Sequence, residues 1–516
     1  MSDLKPKLPA SKDPERFFRT DSLKTELKGN SVRGGAITMI AQLSKFVMQF
    51  GSVVVLARLL EPEDYGLLGM VTVLIGFVGI FKDLGLSMAT VQRAEVTHAQ
   101  ISTLFWLNVA ISSGVMLLTA VLAPAIAWFY KEPRLTNITL VLAIGFIFGG
   151  LTVQHQALLK RQMRLAALAK IEIFTMILSI VTAIGLAWFG FGYWALVAMQ
   201  LMMSVGHCGG VWLMCGWRPG LPQLNSGVGP MLAFGGWSTG FTVINYFTRN
   251  LDNLLIGKYW GPQQLGLYAQ AYKLLVLPMQ QINGPLSTVA IPGLCSLQSQ
   301  PDRYRSYYGK ALQLMTMVGM PIVLFMLVDA QKLIVNLLGP QWQDAVIIFR
   351  ALAPIAFIGT FNVATAWVFI SLGRTDRQFR WNLVASGLTV IGFLVGIKWG
   401  ALGVAIAASI TFSFLRYPGI VYCYKSSPLT VQYLIGVLWR PAVASVVAAG
   451  TLWAINSLFV FPVPPIMELF IDAILYALFY VLCWCILPKG RQTLGDVLKL
   501  LKELRRKPKN GSARDV

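Results

Sequence analysis

The sequence predicts an all-α integral membrane protein with about 14 transmembrane helices. Three observations predict this fold class: an apolar composition, a succession of long apolar runs, and an internal repeat. Of the 516 residues, 56% are hydrophobic and 13% are charged, whereas soluble domains carry about 25% charged residues. This composition excludes a typical cytosolic enzyme, a disordered protein and a secreted disulfide scaffold.

The apolar runs follow one another with short connections built from turn-forming residues, such as Glu61–Asp64 and Gly261–Pro262. Their length favours helices, because barrel strands would alternate in segments of about ten residues. None of the connections is long enough to form an extramembrane domain. The predicted spans are residues 34–59, 65–91, 100–129, 135–158, 168–189, 192–215, 231–259, 265–291, 309–333, 345–371, 379–398, 401–424, 438–460 and 465–487.

An internal repeat becomes visible when the sequence is shifted by 200 residues, which aligns Pro62 with Pro262 and Gly66 with Gly266. Six crossings separate the first and seventh spans, so the repeats share one orientation, a plan found in many transporters. The predicted domains are a cytoplasmic N-terminal tail (1–33), an N-lobe of six helices (34–216), a cytoplasmic inter-lobe linker (217–230), a C-lobe of six helices (231–425), a helical hairpin (426–488) and a basic cytoplasmic C-terminal tail (489–516).

The charges are distributed as membrane topology requires. The chain has 43 Lys and Arg against 22 Asp and Glu, a formal net charge of +21. In a soluble protein this excess would suggest nucleic acid. With the N-terminus inside, however, 31 of the 43 cations lie on the cytoplasmic side and six on the other, as the positive-inside rule requires. We therefore expect both termini to be cytoplasmic and no nucleic-acid partner.

The six cysteines lie in or at the ends of apolar runs, and the three histidines are scattered. Spacing of this kind does not indicate a metal site or a disulfide framework. We therefore expect neither a metal nor a catalytic site.

Polar residues inside the spans are the candidates for function, because a charge at the bilayer centre costs about 2.5–3.5 kcal/mol on insertion scales. Asn245, Arg249 and Asp252 share one helix face at i, i+4 and i+7. Lys45 and Gln49 form a similar stripe at the repeat-related positions of span one. The predicted cavity residues are Lys45, Gln49, Lys82, Asn245, Arg249, Asp252, Tyr272 and Lys273.

Two local alternatives stay open for these residues. Arg249 and Asp252 have the spacing of an ion pair on the helix surface, and Lys82 and Lys273 have side chains long enough to reach the interface. A cationic cavity between the two halves would suit a phosphate-bearing substrate, because Lys and Arg match phosphate oxygens. The residues by themselves indicate a transporter of an anionic or amphiphilic substrate.

Several short stretches of the sequence form a recognisable pattern: Ala57–Leu60, Glu63–Leu68, Asp83–Leu86, Gln92–Arg93, Asn250–Gly257 and Gly266–Tyr268. In this order they resemble the polysaccharide flippases of the multidrug/oligosaccharidyl-lipid/polysaccharide exporter superfamily. The similarity extends over about residues 30–425 and is closest to the Wzx-type flippases of colanic acid and other exopolysaccharides.

The resemblance implies a bacterial inner-membrane flippase that moves undecaprenyl-diphosphate-linked oligosaccharide repeat units for exopolysaccharide or lipopolysaccharide biosynthesis. It implies two lobes in a V shape, alternating access through a cationic central cavity, and no cofactor, with coupling to H⁺ or Na⁺ left open. A polysaccharide polymerase and a chain-length regulator would be functional partners. Inner-membrane lipids would surround the protein. The alternative is a multidrug or small-metabolite exporter on the same fold. A membrane enzyme is disfavoured, since the outer connections are short.

Overall fold

The computed structural model describes residues 42, 44–82, 86–92, 96–223, 229–459 and 463–495. Within these ranges the secondary structure is α-helical, with short 3₁₀ turns at Ile80–Lys82, Pro340–Trp342 and Ile397–Trp399. The helices are α1 (44–59), α2 (Pro62–Gly79), α3 (Leu86–Gln92), α4 (His98–Tyr130), α5 (Arg134–Ala143), α6 (Gly145–Arg161), α7 (Leu165–Trp188), α8 (Tyr193–Cys215), α9 (Gly229–Ser296), α10 (Pro301–Val328), α11 (Ala330–Leu338), α12 (Ala345–Ser371), α13 (Thr375–Gly396), α14 (Gly400–Tyr424), α15 (Val431–Leu458) and α16 (Pro465–Ile486).

Each of the predicted spans has a helical counterpart, so the predicted all-helical class is confirmed. Three spans are interrupted: span two consists of α2 and α3, span four of α5 and α6, and span nine of α10 and α11. Spans seven and eight are the two helices of α9, which are joined at Gly261, where the backbone is not helical (φ 79°, ψ −177°). Only glycine adopts this conformation without strain, so the turn predicted at Gly261–Pro262 is present as the break between the two helices of α9.

Ten helical segments of the described residues are long and apolar enough to cross a membrane. One of them, Thr375–Tyr424, contains both α13 and α14. The described part of span one, residues 44–59, is shorter than a full crossing. The two halves of α9 are not among the ten, and α9 is where the predicted polar stripe lies. The chain is thus a multi-pass membrane protein, and its large exposed apolar side chains, such as Val121, Phe174 and Phe414, lie on helix surfaces suited to lipid.

The chain divides into two compact units, Met1–Gly266 and Leu267–Val516, which we call unit 1 and unit 2. The first half of α9 packs within unit 1, where the Tyr246 hydroxyl donates to the Val73 carbonyl of α2 at 2.8 Å. The repeat-based domain bounds, with a linker at 217–230, remain a prediction. Packing contacts report which helices touch, and they do not report which helices form a repeat.

The internal repeat corresponds to a reciprocal contact inside unit 1. A Cβ placed on Gly66 would lie 1.8 Å from the Pro262 carbonyl oxygen, and a Cβ on Gly266 would lie 1.7 Å from the Pro62 carbonyl oxygen. These are the positions that the shift of 200 residues aligns. Glycine is needed at both because any side chain would collide with a backbone carbonyl. The two repeat-related turns therefore touch through their backbones.

Unit 2 has an aromatic core whose hydroxyl groups are paired. Tyr308 and Tyr424 share a hydrogen bond of 2.8 Å, and Tyr304 and Ser371 share one of 2.7 Å. All four side chains are buried. Paired hydroxyls remove the cost of burying polar atoms in an apolar interior, so these tyrosines serve as core residues.

Candidate functional site

Buried polar side chains surround the interruption of span two in unit 1. Helix α2 passes into the 3₁₀ turn Ile80–Lys82, and α3 starts at Leu86. A break of this kind leaves backbone carbonyls without helical partners. At membrane depth, protein groups must satisfy them, because the hydrocarbon offers no hydrogen bonds.

A buried network of side chains supplies those partners. Asn108 of α4 donates to the Lys82 carbonyl at 3.3 Å, and Arg161 of α6 donates to the Thr90 carbonyl at 3.1 Å. Gln154 connects Asn108 with Thr90. Its side-chain amide donates to Asn108 Oδ1 and accepts from Thr90 Oγ1, both at 2.9 Å. Asn108 and Gln154 are fully buried. We call these four residues (Thr90, Asn108, Gln154 and Arg161) the span-two clamp.

A cavity of about 500 Å³ lies beside the clamp, between α3, α6 and α8. Its basic lining residues are Lys82, Lys160 and His207, and no acidic side chain is among the described residues that line it. The remaining lining residues are Ser87, Met88, Val91, Gly145, Gly149, Thr152, Val153, Gln156, Ala157, Met203 and Ser204.

The side chain of Lys82 packs along α6 at Gly149. A Cβ placed on Gly149 of α6 would lie 3.5 Å from Lys82 Cδ and 3.5 Å from its Nζ. The lysine stem therefore runs along a helix surface without a side chain, and its ammonium faces the cavity. Two ammonium groups and an imidazole around one cavity provide N–H donors and positive charge, which is the combination that binds phosphate oxygens.

The predicted residues of span one lie elsewhere in unit 1. Lys45 of α1 is half-buried and forms an ion pair with Glu172 of α7. Its positive charge is therefore balanced locally. Gln49 is half-buried on the same helix, and its carbonyl accepts a hydrogen bond from the Ser52 hydroxyl at 2.8 Å.

The predicted residues of span seven lie on the first half of α9. Arg249 is exposed, whereas Asp252 is buried and its Oδ1 accepts from the backbone N–H of Asn253 at 2.8 Å. The ion pairs given for the described residues do not include Arg249 or Asp252, and the local pairing stays a prediction. Asn245 lies on the same helix, with its side chain outside what the structure describes.

The last two predicted residues lie on the second half of α9, in unit 2. Tyr272 is 43% exposed and stacks on Tyr268 with ring centroids 6.3 Å apart. Lys273 is exposed. Among the predicted residues whose side chains the structure describes, only Lys82 lines the cavity of unit 1. The other side chains that the structure describes are distributed along α1 and α9.

Sequence reasoning missed Lys160 and His207 as cavity residues. Lys160 reads as a loop cation after span four, and His207 reads as a lone histidine in span six. Helices α6 and α8 bring them together across 47 residues of chain, and no local motif marks that contact. The only sequence signal is the basic residue at the end of an apolar run, which is shared by many cytoplasmic loops.

The first residues of the predicted linker, 217–223, lie across the start of α4. The backbone N–H of Gly220 donates to Ser102 Oγ at 2.9 Å, and that of Gln223 donates to Thr103 Oγ1 at 3.0 Å. Trp106 Nε1 donates to the Gly220 carbonyl at 2.8 Å. Residues 217–223 of the predicted linker are therefore fixed to the start of α4 by hydrogen bonds of their backbone.

Solved transporters share this architecture. The chain is similar in fold to a lipid II flippase, MurJ, in an inward closed conformation, with a TM-score of 0.71, 14% identity, and coverage of 88% of this chain and 98% of that chain. It is also similar to an inward-facing multidrug resistance MATE family transporter, with a TM-score of 0.57, 14% identity, and coverage of 75% and 97%. These likenesses show that the chain has the fold of multi-pass membrane transporters.

Within that class the chain belongs to the polysaccharide biosynthesis protein family, whose sequence profile matches residues 55–347. It is 23% identical over 425 residues to the lipopolysaccharide biosynthesis protein WzxC of Escherichia coli (strain K12), covering 80% of this chain and 85% of that protein. It is 27% identical over 344 residues to the teichuronic acid biosynthesis protein TuaB of Bacillus subtilis (strain 168), covering 63% and 69%. The predicted family is confirmed, and so is the prediction of a transporter in place of an enzyme.

Proposed function

We propose that the protein is a flippase that moves undecaprenyl-diphosphate-linked oligosaccharide repeat units from the cytoplasmic to the periplasmic leaflet of the bacterial inner membrane. It works by alternating access through a cationic central cavity. Family membership supports a role in polysaccharide biosynthesis. Relatives named for lipopolysaccharide, teichuronic acid and succinoglycan biosynthesis support a glycan cargo. A fold shared with a lipid II flippase supports a lipid-linked one.

The observation that carries the proposal is the cavity lined by Lys82, Lys160 and His207, without an acid among its described lining residues. A lipid-linked diphosphate combines concentrated negative charge with an apolar tail. The two lysines supply charge, and Gln156 and Ser204 supply hydrogen-bonding groups for the first sugar. In the predicted orientation this cavity belongs to the cytoplasmic side, so we propose that it receives the diphosphate when the substrate is loaded.

The remaining predicted residues are proposed contacts for later stages of the path. Arg249 and Lys273 carry exposed cations on α9, and they would meet the diphosphate after it leaves the first cavity. Lys45 is held by Glu172, so an incoming anion would have to compete with that carboxylate. Coupling to H⁺ or Na⁺, a polysaccharide polymerase and a chain-length regulator remain part of the proposal.

The test is complementation of a deletion strain, with undecaprenyl-linked repeat units and surface polysaccharide measured side by side. We expect the deletion to accumulate lipid-linked units and lose polymer, and the wild-type gene to reverse both. The double variant Lys82→Ala/Lys160→Ala should lose most export, because each charge-assisted hydrogen bond contributes about 1.5–3 kcal/mol, or about tenfold or more in binding. Lys170→Ala, an exposed lysine of α7 that does not line the cavity, is the matched control.

Two outcomes would contradict different parts of the proposal. A deletion strain with normal polymer and no lipid-linked intermediates would overturn the flippase, and drug sensitivity of that strain would favour the exporter. Full export by the double variant, at a membrane level equal to that of the control, would overturn the cavity assignment and leave the flippase standing.

A further inference from the structure

Unit 2 contains a cluster of charged side chains that the proposed transport path does not use. Lys332 of α11 lies 2.6 Å from Asp472 Oδ2 and 2.9 Å from Glu468 Oε1, both on α16. It lies 3.9 Å from Oδ1 of Asp329, at the junction of α10 and α11. Asn456 of α15 donates to Asp329 Oδ1 at 3.2 Å and to Asp472 Oδ2 at 3.4 Å. We call these five residues the Lys332 cluster.

The cluster has more negative charge than its single cation balances. Three carboxylates and one ammonium give a formal charge of −2 when all are ionised. The side chains of Asp472 and Asp329 are 0% and 1% exposed, so water does not solvate them. Carboxylates that share a buried site do not all stay ionised, because each charge opposes the next. Glu468 is 22% exposed and has the access to water that an unbalanced charge needs.

The cluster also has more hydrogen-bond acceptors than donors. Three buried oxygens have no partner among the described residues: Oδ2 of Asp329, Oδ1 of Asp472 and Oδ1 of Asn456. All three are acceptors, while the two donor atoms, Lys332 Nζ and Asn456 Nδ2, are both engaged. What the site lacks is therefore a donor. One added hydrogen on a carboxyl oxygen would turn an unpaired acceptor into a donor.

We propose that the Lys332 cluster binds one proton, held by one of the two buried carboxyl groups of Asp329 and Asp472, and that this proton fastens the α15–α16 hairpin to α11. The proton comes from bulk water and lowers the formal charge of the cluster from −2 to −1. A metal ion fits less well, because the described residues contain no group of three or more acidic, histidine or cysteine side chains arranged to hold one.

The groups that face the cluster from the neighbouring elements do not supply the missing donor. On α16, the hydroxyls of Tyr476 and Tyr480 donate to the backbone carbonyls of Ser445 and Met317. The charged residues at the start of α12, Asp344 and Arg350, are exposed, and neither takes part in the ion pairs of the described residues. Asp329, Lys332, Glu468 and Asp472 are therefore the titratable groups of the site.

The sign of the pH dependence follows from the proton count. The docked hairpin holds one proton more than the undocked hairpin, whose carboxylates are solvated and ionised. Docking is therefore strongest at low pH and weakens as the pH rises. In the interval where only the docked state is protonated, the opening equilibrium rises by about tenfold per pH unit.

The test uses the full-length protein in lipid vesicles. Infrared titration should show the C=O band of a buried carboxylic acid at neutral pH, which disappears on alkalinisation. Asp472→Asn leaves two carboxylates for one ammonium, so the band should be absent there. Asp302→Asn removes an exposed carboxylate of α10 and should keep the band. Hydrogen exchange of the α16 amides, corrected for intrinsic rates, should accelerate with pH in the wild type and stay flat in Asp472→Asn.

Three results would overturn the proposal. The first is the absence of a carboxylic-acid band at neutral pH in the wild-type protein. This measurement does not depend on whether any variant folds. The second is a band that persists in both Asp472→Asn and Asp329→Asn. The third is protection of α16 that follows the sodium concentration at constant pH and ignores the pH at constant sodium, because that would make the ligand of the cluster Na⁺.

Discussion

At the scale of single residues, polar side chains inside the spans have two distinct uses in this protein. Lys82 directs its charged group towards a cavity, whereas Asn108 and Gln154 form hydrogen bonds with other groups of the protein. Sequence position does not separate the two uses, since all three residues lie in apolar runs. The partners separate them: a side chain that satisfies a broken helix is structural, and one that faces an unfilled cavity is available to a ligand.

The clamp makes a prediction about stability. Gln154→Leu would remove two hydrogen bonds and leave Asn108 Oδ1 and Thr90 Oγ1 without these partners. A buried unsatisfied group costs about 1–3 kcal/mol, so we expect a clear drop in the thermal unfolding midpoint of the purified protein. Gln200→Leu, at an exposed position of α8, is the matched control. Equal midpoints for the two variants would show that the clamp does not stabilise the interrupted span.

At the scale of secondary-structure elements, the repeat-related turns meet through two glycines. Gly66 and Gly266 each face the carbonyl of the proline that starts the opposite turn. A contact between two backbones leaves no side chain that could rotate away, so a substitution must move a whole helix end. The α1–α2 turn and the break between the two helices of α9 are thereby held at one fixed separation within unit 1.

This contact makes the second prediction. Gly66→Ala would place a Cβ 1.8 Å from the Pro262 carbonyl oxygen, so the turns must separate, at a cost of at least the 1–3 kcal/mol that is typical of overpacking. We expect reduced polysaccharide export together with a lowered unfolding midpoint. Gly114→Ala is the control, because nothing lies within 4 Å of a Cβ at that helical position. Wild-type export and stability in Gly66→Ala would show that the turns do not need this approach.

At the scale of the whole molecule, the distribution of positive charge predicts how the chain crosses the membrane. Lys398 lies in the 3₁₀ turn Ile397–Trp399, and Lys425 follows the end of α14. One helix separates them, so they should lie on opposite sides of the bilayer. The excess of cations on the side that includes Lys425 predicts that this side is cytoplasmic.

Cysteine labelling tests this orientation. In a background with the six native cysteines replaced by alanine, Lys398→Cys should react with a membrane-impermeant maleimide in intact cells. Lys425→Cys should react only after permeabilisation. Both positions are exposed, so accessibility within the protein is matched. The reverse labelling pattern would invert the topology and place the cavity of Lys82 on the periplasmic side.

Much of the architecture was predictable from local sequence. Burial of an apolar helix in lipid is a property of one segment, so each predicted span has its helical counterpart. The repeat was readable for a similar reason, because Gly66 and Gly266 mark equivalent turns without any knowledge of their contact. The interruption of span two was not readable, because the partners that satisfy it, Asn108 and Gln154, come from α4 and α6.

The polar chemistry depends on neighbours that are distant in the chain. Lys160 reads as a loop cation, but α8 places His207 beside it and α2 leads into Lys82 across the same cavity. Lys332 reads as an outer-loop cation, yet it lies among three carboxylates, two of them contributed by α16 about 140 residues later. An apolar segment is surrounded by lipid wherever it crosses the membrane, so its composition is enough to predict that it is a spanning helix. A charged side chain takes its role from the few atoms around it, and those atoms are assembled by helix packing.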